Sequence, residues 1–267
     1  MKHQSNILAL KYRPSDFSDL IGQEYLVETI QKSIELNKIP NAYIFTGIRG
    51  VGKTTTARIV AKMLNCTVFD DSNRPDLQKC DQALAISEDR HPDVIEIDAA
   101  SNTSVENARE IIENVKYNPV LGKYKVYIID EVHMLSKSAF NALLKTLEEP
   151  PPHSKFIFAT TEISKVPITI LSRCQRFDLR RIEKKVLSNF LEKIALKEDI
   201  SLEKEALNLI IKASDGSVRD SLSILDQANI FKSGKEIKSA EIINMLGFAK
   251  VGDLYNLSIN ILENNLS

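Results

Sequence analysis

The 267-residue chain is 43% hydrophobic and 27% charged, and its formal net charge is −1. This composition is typical of a globular protein, and the near-zero charge excludes a globally basic surface for nucleic acid. No apolar run approaches the roughly 18 residues that a membrane-spanning helix needs, and no signal peptide is visible. Three cysteines, an odd count, together with no visible signal peptide, favour reduced thiols in the cytoplasm. Since no apolar run could span a membrane, we expect no membrane partner.

The first segment of the chain, residues 7–23, is broken by Pro14 and predicts an arm and a turn ahead of a helix at 25–36. Two interpretations of this arm remain open. It is either a simple tether, or it folds over a nucleotide base, with Tyr12, Pro14 and Ile21 forming an apolar slot. The spacing of these residues fits both interpretations.

A glycine-rich stretch at residues 47–54 fits the pattern G-x-x-x-x-G-K-[ST] of the phosphate-binding P-loop. It follows a β-prone run at 42–45 and precedes a helical pattern at 55–64, the expected strand–loop–helix context. Backbone N–H groups and the helix start favour an anion there. The lysine is predicted to contact the β- and γ-phosphates of ATP, and the adjacent threonine to ligate Mg²⁺. The predicted nucleotide contacts are Gly47, Ile48, Arg49, Gly50, Val51, Gly52, Lys53, Thr54 and Thr55.

A β-branched run at 124–131 ends in two acids, Asp130 and Glu131. A buried parallel strand delivers such carboxylates to the edge of the sheet where its carboxyl end lies. With a P-loop upstream, Asp130 is predicted to hold Mg²⁺ through water. Glu131 is predicted to polarise the attacking water as general base.

Two further candidates lie at the ends of later elements. The strand predicted at 155–161 ends in Thr161, which either senses a γ-phosphate or is simply a β-prone residue. Arg173 follows a short helix that runs into a last strand. It is either a surface arginine or a finger that inserts into a neighbouring chain's nucleotide site.

Hydroxyl side chains mark the starts of two helices in this region. Thr103 or Ser104 can cap a helix through Val115, and Ser136 is predicted to cap a helix through Glu148.

Strands that alternate with helices, including one at 94–98, predict an α/β fold with a parallel sheet. From about residue 180 the strand signals stop, and a small all-helical lid domain is predicted over 180–245. Its helical patterns lie at 184–197, 202–214, 217–231 and 239–246. The third pattern opens with Ser217, a candidate cap, and Arg219 close behind it is a candidate for reaching back to the phosphates. An apolar helix at 251–262 predicts that residues 246–267 begin a further, truncated domain.

Four segments of the chain resemble a known family. They are KYRP, IDAAS, IDEVHMLS and FNALLKTLEEPP, at residues 11–14, 97–101, 129–136 and 140–151. Together with the P-loop, they resemble the AAA+ ATPases of the clamp-loader branch, in particular the gamma/tau family of bacterial DNA polymerase III subunits. The resemblance covers nearly the whole chain. It implies a P-loop AAA+ parallel sheet flanked by helices over residues 1–179, then the helical lid, then the start of a helical collar.

The resemblance implies an ATP-driven motor that opens the ring-shaped sliding clamp and loads it on primed DNA, as part of a DNA polymerase holoenzyme. The implied partners are delta and delta-prime subunits, other gamma/tau copies, the clamp and primed DNA. Within the site, Arg13 and Pro14 match the base-binding arm, and Thr161 matches sensor 1. Arg173 matches the finger that acts in trans, and Arg219 matches sensor 2 on the lid.

The chain departs from the family in a loop at residues 66–92, where the family carries four cysteines spaced as a zinc site. Only Cys66 and Cys80 remain, and Leu77 and Ala83 stand at the other two positions. Two thiolates do not complete a tetrahedral site, and a lone His91 is more often a loop residue than a ligand. We therefore predict no bound zinc.

A second departure is Asn102, at a position where the family tends to have a basic residue. If this region faces DNA, a phosphate contact would rely on Thr103, Ser104 and the N-terminal amides of a helix that ends at residue 115. We expect weak DNA affinity for this subunit alone.

Two functions remain open at this point. The first is a clamp-loader motor whose ATP hydrolysis depends on its neighbours. The second is a structural subunit that holds nucleotide with little hydrolysis of its own. A third, another P-loop switch such as a DNA-repair helicase loader, is disfavoured by the TLEEP sequence at residues 146–150.

Overall fold

The computed structural model describes residues 7–70, 74–101 and 105–248. These residues form two compact units. The first comprises residues 13–181, and the second combines residues 7–12 with residues 182–248. The N-terminal residues, which we expected in the ATPase domain, therefore group with the helices of the second unit.

The strands of the first unit are β1 Ala42–Thr46, β2 Val94–Asp98, β3 Lys125–Asp130, β4 Ser154–Thr160 and β5 Gln175–Asp178. They form one parallel sheet in the order β2-β3-β4-β1-β5. The predicted strands at 42–45, 94–98, 124–131 and 155–161 are thus confirmed to within one residue at each end. Because the sheet is parallel, the carboxyl ends of β1, β3 and β4 lie at the same edge.

The helices of the described residues fall into both units. They are α1 Leu8–Lys11, α2 Glu24–Glu35, α3 Lys53–Asn65, α4 Asp81–Ser87, α5 Val105–Val115, α6 Lys137–Glu148, α7 Ile168–Leu171, α8 Lys184–Lys197, α9 Lys204–Ser214, α10 Val218–Phe231 and α11 Ser239–Leu246. Short 3-10 turns occur at Phe17–Asp19, Val132–Met134 and Ile163–Lys165. No described helix is both long and apolar enough to cross a bilayer.

Both faces of the sheet are covered by helices. Tyr43 and Phe45 of β1 pack in one core with α2 and α3, whereas Ala42 and Ile44 pack in a second core with α5 and α6. All four side chains are at most 1% exposed. Alternate residues of a strand point to opposite faces, so a strand buried on both faces is apolar throughout. Polar functional groups are therefore left to the strand ends.

Helix α6 illustrates how the sequence sets the elements of the first unit. The Ser136 hydroxyl accepts the N–H of Ala139 at 3.1 Å, as the predicted cap requires. Phe140, Leu143 and Leu147 follow at helical spacing and are buried. The consecutive prolines that begin at residue 150 then end the helix. This regular pattern explains why the predicted and observed bounds agree.

The second unit consists of α8–α11 together with α1. Leu8 of α1 donates its N–H to the Asp226 carboxylate at 3.3 Å, and the Tyr12 hydroxyl bonds to Glu198. Ser217 caps α10 by accepting the N–H of Asp220 at 3.2 Å. The bounds predicted for α8 and α11 are those observed.

Several short elements differ from the sequence-based expectation. Strands β6 Ser201–Leu202 and β7 Glu236–Ile237 form a small parallel pair in the second unit, where only helices were predicted. Two residues are too few to show a strand's alternation. Helix α4 lies within the loop predicted over 66–92. The predicted caps Thr103 and Ser104, Asn102 and the predicted helix at 251–262 lie outside the described residues.

Candidate nucleotide-binding site

The glycine-rich loop joins β1 to α3 through backbone conformations that favour glycine. Gly52, directly before α3, has a φ of 100°, and Gly47 has a φ of 150°. A Cβ atom on Gly47 would lie 2.6 Å from the backbone oxygen of Leu179. The tight turn brings the unpaired N–H groups of the α3 N-terminus to the end of β1, which is a favourable position for phosphate.

Lys53, in the first turn of α3, is 6% exposed. Its ammonium group donates to the backbone oxygens of Gly47 at 3.0 Å and Ile48 at 3.1 Å. Burial lowers the pKa of Lys53, and the nearby carboxylates of Glu131 and Asp130 act in the opposite direction. A buried cation is costly without a counter-charge, so an anionic phosphate is a better partner than two carbonyl groups.

The Thr54 hydroxyl donates to the Asp130 carboxylate at 2.5 Å. Thr54 belongs to α3 and Asp130 ends β3, so the parallel sheet brings the two predicted Mg²⁺-associated residues together. Hydroxyl and carboxylate oxygens are hard ligands, and Mg²⁺ is bound in nucleotide sites through few protein oxygens and several waters. The donor set therefore fits Mg²⁺ held with ATP.

The predicted general base and the predicted sensor are in direct contact. The Glu131 Oε2 atom accepts the N–H of Thr161 at 3.2 Å and its hydroxyl at 3.1 Å. Glu131 has a φ of 46°, a left-handed conformation that is uncommon for a non-glycine residue and recurs at functional sites. This conformation turns the chain sharply at the end of β3 into the following 3-10 turn.

Two polar residues of this cluster were not predicted from the sequence. His133 Nδ1 lies 2.9 Å from the Thr160 hydroxyl oxygen and 3.4 Å from Glu131 Oε2. The available signal was the position of His133, two residues after Glu131 in the segment that carries the resemblance. Its contact with Thr160 depends on the pairing of β3 with β4, which the local pattern does not reveal.

The predicted base-binding arm is divided between the two units. Arg13 Nε donates to the Thr55 hydroxyl at 3.2 Å, and the Lys62 ammonium donates to the Ser15 carbonyl at 3.2 Å. This part of the arm thus lies along α3. Tyr12 belongs to the second unit. The predicted slot formed by Tyr12, Pro14 and Ile21 stays a prediction.

The two predicted arginines occupy different units. Arg173 donates to the Thr169 carbonyl at 2.6 Å and pairs with the Glu148 carboxylate of α6, and its side chain is 32% exposed. Arg219 is an exposed residue in the first turn of α10. Their predicted roles, as a finger in trans and as sensor 2, stay predictions.

The loop with the degenerate cysteine pattern is closely packed on the first unit. Cys66, Leu77, Cys80 and Ala83 are all buried in the core cluster that includes α3. Burial raises the pKa of the Cys66 thiol to about 12, whereas the pKa of the Cys80 thiol is lowered, against the effect of burial, by the hydrogen bond that it shares with Cys66. Two thiols and two apolar side chains thus occupy the positions of the family's four cysteines and pack in the core.

His91, considered above as a third ligand, has other partners. Its Nδ1 accepts the N–H of Asp93 at 3.1 Å, and its Nε2 contacts the Gln82 side chain. Among the residues that the structure describes, no group of three or more histidine, cysteine or acidic side chains is placed to hold a metal ion. That the protein binds no zinc stays a prediction, which metal analysis of the purified protein can test.

Two sequence-family profiles match consecutive parts of the chain. One, described as DNA polymerase III, delta subunit, matches residues 22–183, and one described as DNA polymerase III clamp loader subunit, ATPase lid domain, matches residues 187–234. A tau/gamma subunit of DNA polymerase III from Haemophilus influenzae is 47% identical over 253 residues, 95% of this chain. A gamma subunit from Buchnera aphidicola subsp. Schizaphis graminum is 45% identical over 257 residues, which cover 96% of this chain and 70% of that protein.

The chain belongs to the gamma/tau family of DNA polymerase III subunits. The delta-subunit description of the first profile differs from the names of these relatives. We assign the chain to the gamma/tau family because the gamma and tau relatives match it over nearly its whole length, whereas the delta-subunit profile matches residues 22–183 alone. The resemblance seen in the sequence is thereby confirmed. The chain spans 36% of the Haemophilus relative's length, so the activity and partners of the whole protein remain proposals here.

Solved structures agree on the fold. Thermotoga maritima RuvB, titled a Holliday junction branch migration motor, matches with a TM-score of 0.64 over 88% of this chain and 72% of that chain. A second structure, of a single-residue variant of the same protein, gives the same TM-score. At 18% identity these matches show the fold alone. They confirm the predicted P-loop sheet with a helical lid.

Proposed function

We propose that this member of the gamma/tau family is an ATPase and a motor subunit of the clamp loader, which helps to open the sliding clamp and load it on primed DNA. The proposed partners are delta and delta-prime subunits, other gamma/tau copies, the clamp and primed DNA, in the cytoplasm. One observation carries the ATPase part of this proposal. Lys53, the Thr54–Asp130 pair and the Glu131–Thr161 pair converge at the carboxyl ends of β1, β3 and β4.

Each residue of this group has a distinct chemical task. Lys53 exchanges its two carbonyl partners for phosphate oxygens, which relieves the cost of its burial. Thr54 and Asp130 would hold Mg²⁺. When bound, Mg²⁺ neutralises charge on the β- and γ-phosphate oxygens.

Glu131 supplies the base. Its carboxylate takes the proton from the water that attacks the γ-phosphorus, and the bond from that phosphorus to the bridging oxygen of ADP breaks. Because Oε2 accepts two hydrogen bonds from Thr161, Glu131 must be freed from at least part of this contact before it can orient water. Thr161 is then available to donate to a phosphate oxygen or to the water.

The alternative function is a structural subunit that binds ATP and rarely hydrolyses it. The arrangement around Glu131 and Arg173 favours it, since Oε2 is held by Thr161 and the guanidinium is paired with Glu148 in the same chain. Both side chains would have to change partners before taking part in catalysis. Neighbouring subunits are the proposed cause of that change.

The test is ATP hydrolysis by the reconstituted clamp loader, measured with and without the clamp and primed DNA. Turnover that rises with both and disappears on Lys53→Ala supports the motor. ATP binding without turnover in every combination contradicts the motor and supports the structural alternative. Glu28→Gln, a change in an exposed ion pair with Lys32 on α2, is the matched control and should leave turnover unaltered.

A further inference from the structure

His133 is a buried imidazole beside the proposed general base that none of the steps above uses. It lies in the 3-10 turn Val132–Met134, and its side chain is 6% exposed. One ring nitrogen, Nδ1, lies 2.9 Å from the Thr160 hydroxyl and 3.4 Å from Glu131 Oε2. The other, Nε2, lies 3.5 Å from Glu162 Oε1. The ring therefore stands between two carboxylates.

The partners of the ring fix its orientation. Thr160 is fully buried at the end of β4, and its hydroxyl oxygen already accepts the N–H of Glu162 at 3.0 Å. A proton on Nδ1 can then be donated to the Thr160 oxygen, while Glu131 and Glu162 lie within ion-pair distance of Nδ1 and Nε2 respectively. Glu162 is in turn paired with Lys165 at 2.8 Å. A hydrogen bond from Lys165 lowers the pKa of Glu162, so this carboxylate remains an anion opposite Nε2.

Packing alone does not explain an imidazole at this position. A buried polar ring costs free energy unless its nitrogens find partners, and an apolar side chain of similar size would fill the space without that cost. Here the nitrogens face two acids and a hydroxyl, and one of the acids is the group that must be aimed at water.

We propose that His133 is a positioning residue that holds the Glu131 carboxylate at the edge of the sheet and links it to Glu162 at the start of the turn Ile163–Lys165. The contact between His133 and Glu131 does not depend on the proposed function. The expected effect of His133 on ATP turnover rests on the proposed function. The polar partners of His133, which are Thr160, Glu131 and Glu162, lie outside the P-loop. Loss of His133 should therefore affect the chemical step and leave ATP binding intact.

Three substitutions of His133 distinguish the contribution of each ring nitrogen from that of side-chain bulk. His133→Asn keeps a hydrogen-bonding group near Nδ1, His133→Gln keeps one near Nε2, and His133→Leu keeps only bulk. We expect His133→Leu and His133→Gln to lower kcat about 10-fold to 100-fold, because misplacement of a reacting group by about 1 Å has effects of that size. His133→Asn should remain within about 3-fold of wild type, and all three should bind ATP with a Kd within about 2-fold of it.

The experiment combines kinetics of the reconstituted clamp loader with side-chain ¹⁵N NMR of the gamma/tau chain. The chain has four histidines, so His133→Asn identifies the His133 resonances by their loss. Glu131→Gln should shift the His133 ring resonances, and the Glu28→Gln control should not. This measurement needs no turnover and uses an otherwise native chain, so it decides the contact even if His133→Leu fails to fold.

The expected result has two parts. The His133 ring resonances shift in Glu131→Gln, and kcat falls in His133→Leu and His133→Gln but stays near the wild-type value in His133→Asn. Unmoved ring resonances overturn the proposal, as does a kcat in His133→Leu equal to wild type. Equal losses in all three variants also overturn it, since they indicate packing. A wild-type complex without turnover contradicts the proposed function instead, and the NMR comparison alone then decides the role of His133.

Discussion

The Thr161 hydroxyl lies 3.1 Å from Glu131 Oε2, so the residue expected to sense the γ-phosphate holds the residue expected to activate water. Each was identified from the end of a different strand. The pairing of β3 with β4 places these ends side by side. A nucleotide that draws the Thr161 hydroxyl away would release the carboxylate of Glu131, which couples occupancy of the site to its activity.

Thr161→Val tests whether the Thr161 hydroxyl, once it has left Glu131, also acts in the transition state. The change removes the hydroxyl donor and keeps the backbone N–H that also reaches Glu131. We expect kcat to fall about 10-fold to 100-fold, because one donor positioned for the transition state has effects up to about that size. ATP affinity should stay within about 3-fold of wild type. The two measurements are the steady-state ATPase rate of the reconstituted complex and its equilibrium affinity for ATP. If the rate and the affinity fall by the same factor, Thr161 acts in ATP binding and not in the chemical step.

Asp130→Asn tests the Mg²⁺ assignment. The amide retains the size of the side chain and loses the charge that faces Thr54. Residues that act on a metal through an outer-shell contact typically change affinity 10-fold to 100-fold, so half-maximal ATP binding should need about 10-fold more Mg²⁺. A Mg²⁺ titration of nucleotide binding checks this. An unchanged Mg²⁺ requirement would remove Asp130 from the metal site.

Gly47→Ala tests the geometry of the P-loop. The new Cβ would meet the Leu179 carbonyl at 2.6 Å, at a backbone conformation that alanine rarely adopts. We expect the first unit to lose about 1–3 kcal/mol of its free energy of unfolding, or the loop to rearrange with loss of ATP binding. Gly234→Ala is the control, since its Cβ meets no atom within 4 Å. Denaturant unfolding and ATP binding compare the two, and equal behaviour would contradict the observed turn.

The sequence predicted most of the elements because their signals are local. Ser136 and Ser217 are caps at the starts of regular apolar patterns, and both helices begin where those caps predict. The pair β6–β7 was missed because its two-residue strands carry no pattern. His133 was missed for another reason: its partner Thr160 lies on a different strand. Contacts across the sheet follow from strand order, which no single stretch of sequence contains.

Asp93→Asn provides a test that depends on pH. The buried Asp93 carboxylate accepts the N–H groups of Val120, Leu121 and Gly122, each at 2.7 Å. Burial alone would raise the pKa of Asp93, and these three hydrogen bonds lower it below its usual value. Folding is therefore favoured by the ionised form. The stabilisation is complete above the unfolded pKa of about 3.9 and is lost as pH falls through the lower folded value.

We therefore expect Asp93→Asn to cost about 2 kcal/mol of unfolding free energy at neutral pH, the scale of hydrogen bonds to a charged group. The difference from wild type should narrow only below about pH 4. Denaturant unfolding at a series of pH values measures it. A difference that stays constant down to about pH 2.5, well below the unfolded pKa, would show that the carboxylate charge is not what the three N–H groups require.

The residues at the four positions of the degenerate cysteine loop predict that the protein binds no zinc and that its stability does not depend on zinc. Cys66, Leu77, Cys80 and Ala83 pack together in an apolar core. Metal analysis should find much less than one zinc per chain, and a chelator should leave the melting temperature unchanged. One equivalent of zinc, or a melting temperature lowered by the chelator, would contradict this account of the loop.

The central claim is that Glu131 is the base of an ATP-hydrolysing site, and a single-turnover comparison with Glu131→Gln in the reconstituted clamp loader tests it most directly. ATP carrying a labelled γ-phosphate is bound to each complex in the presence of clamp and primed DNA, and its cleavage is followed with time. We predict ATP binding within about 3-fold of wild type and cleavage slowed by about 100-fold or more, the contribution of a general base. Cleavage at the wild-type rate would contradict the claim.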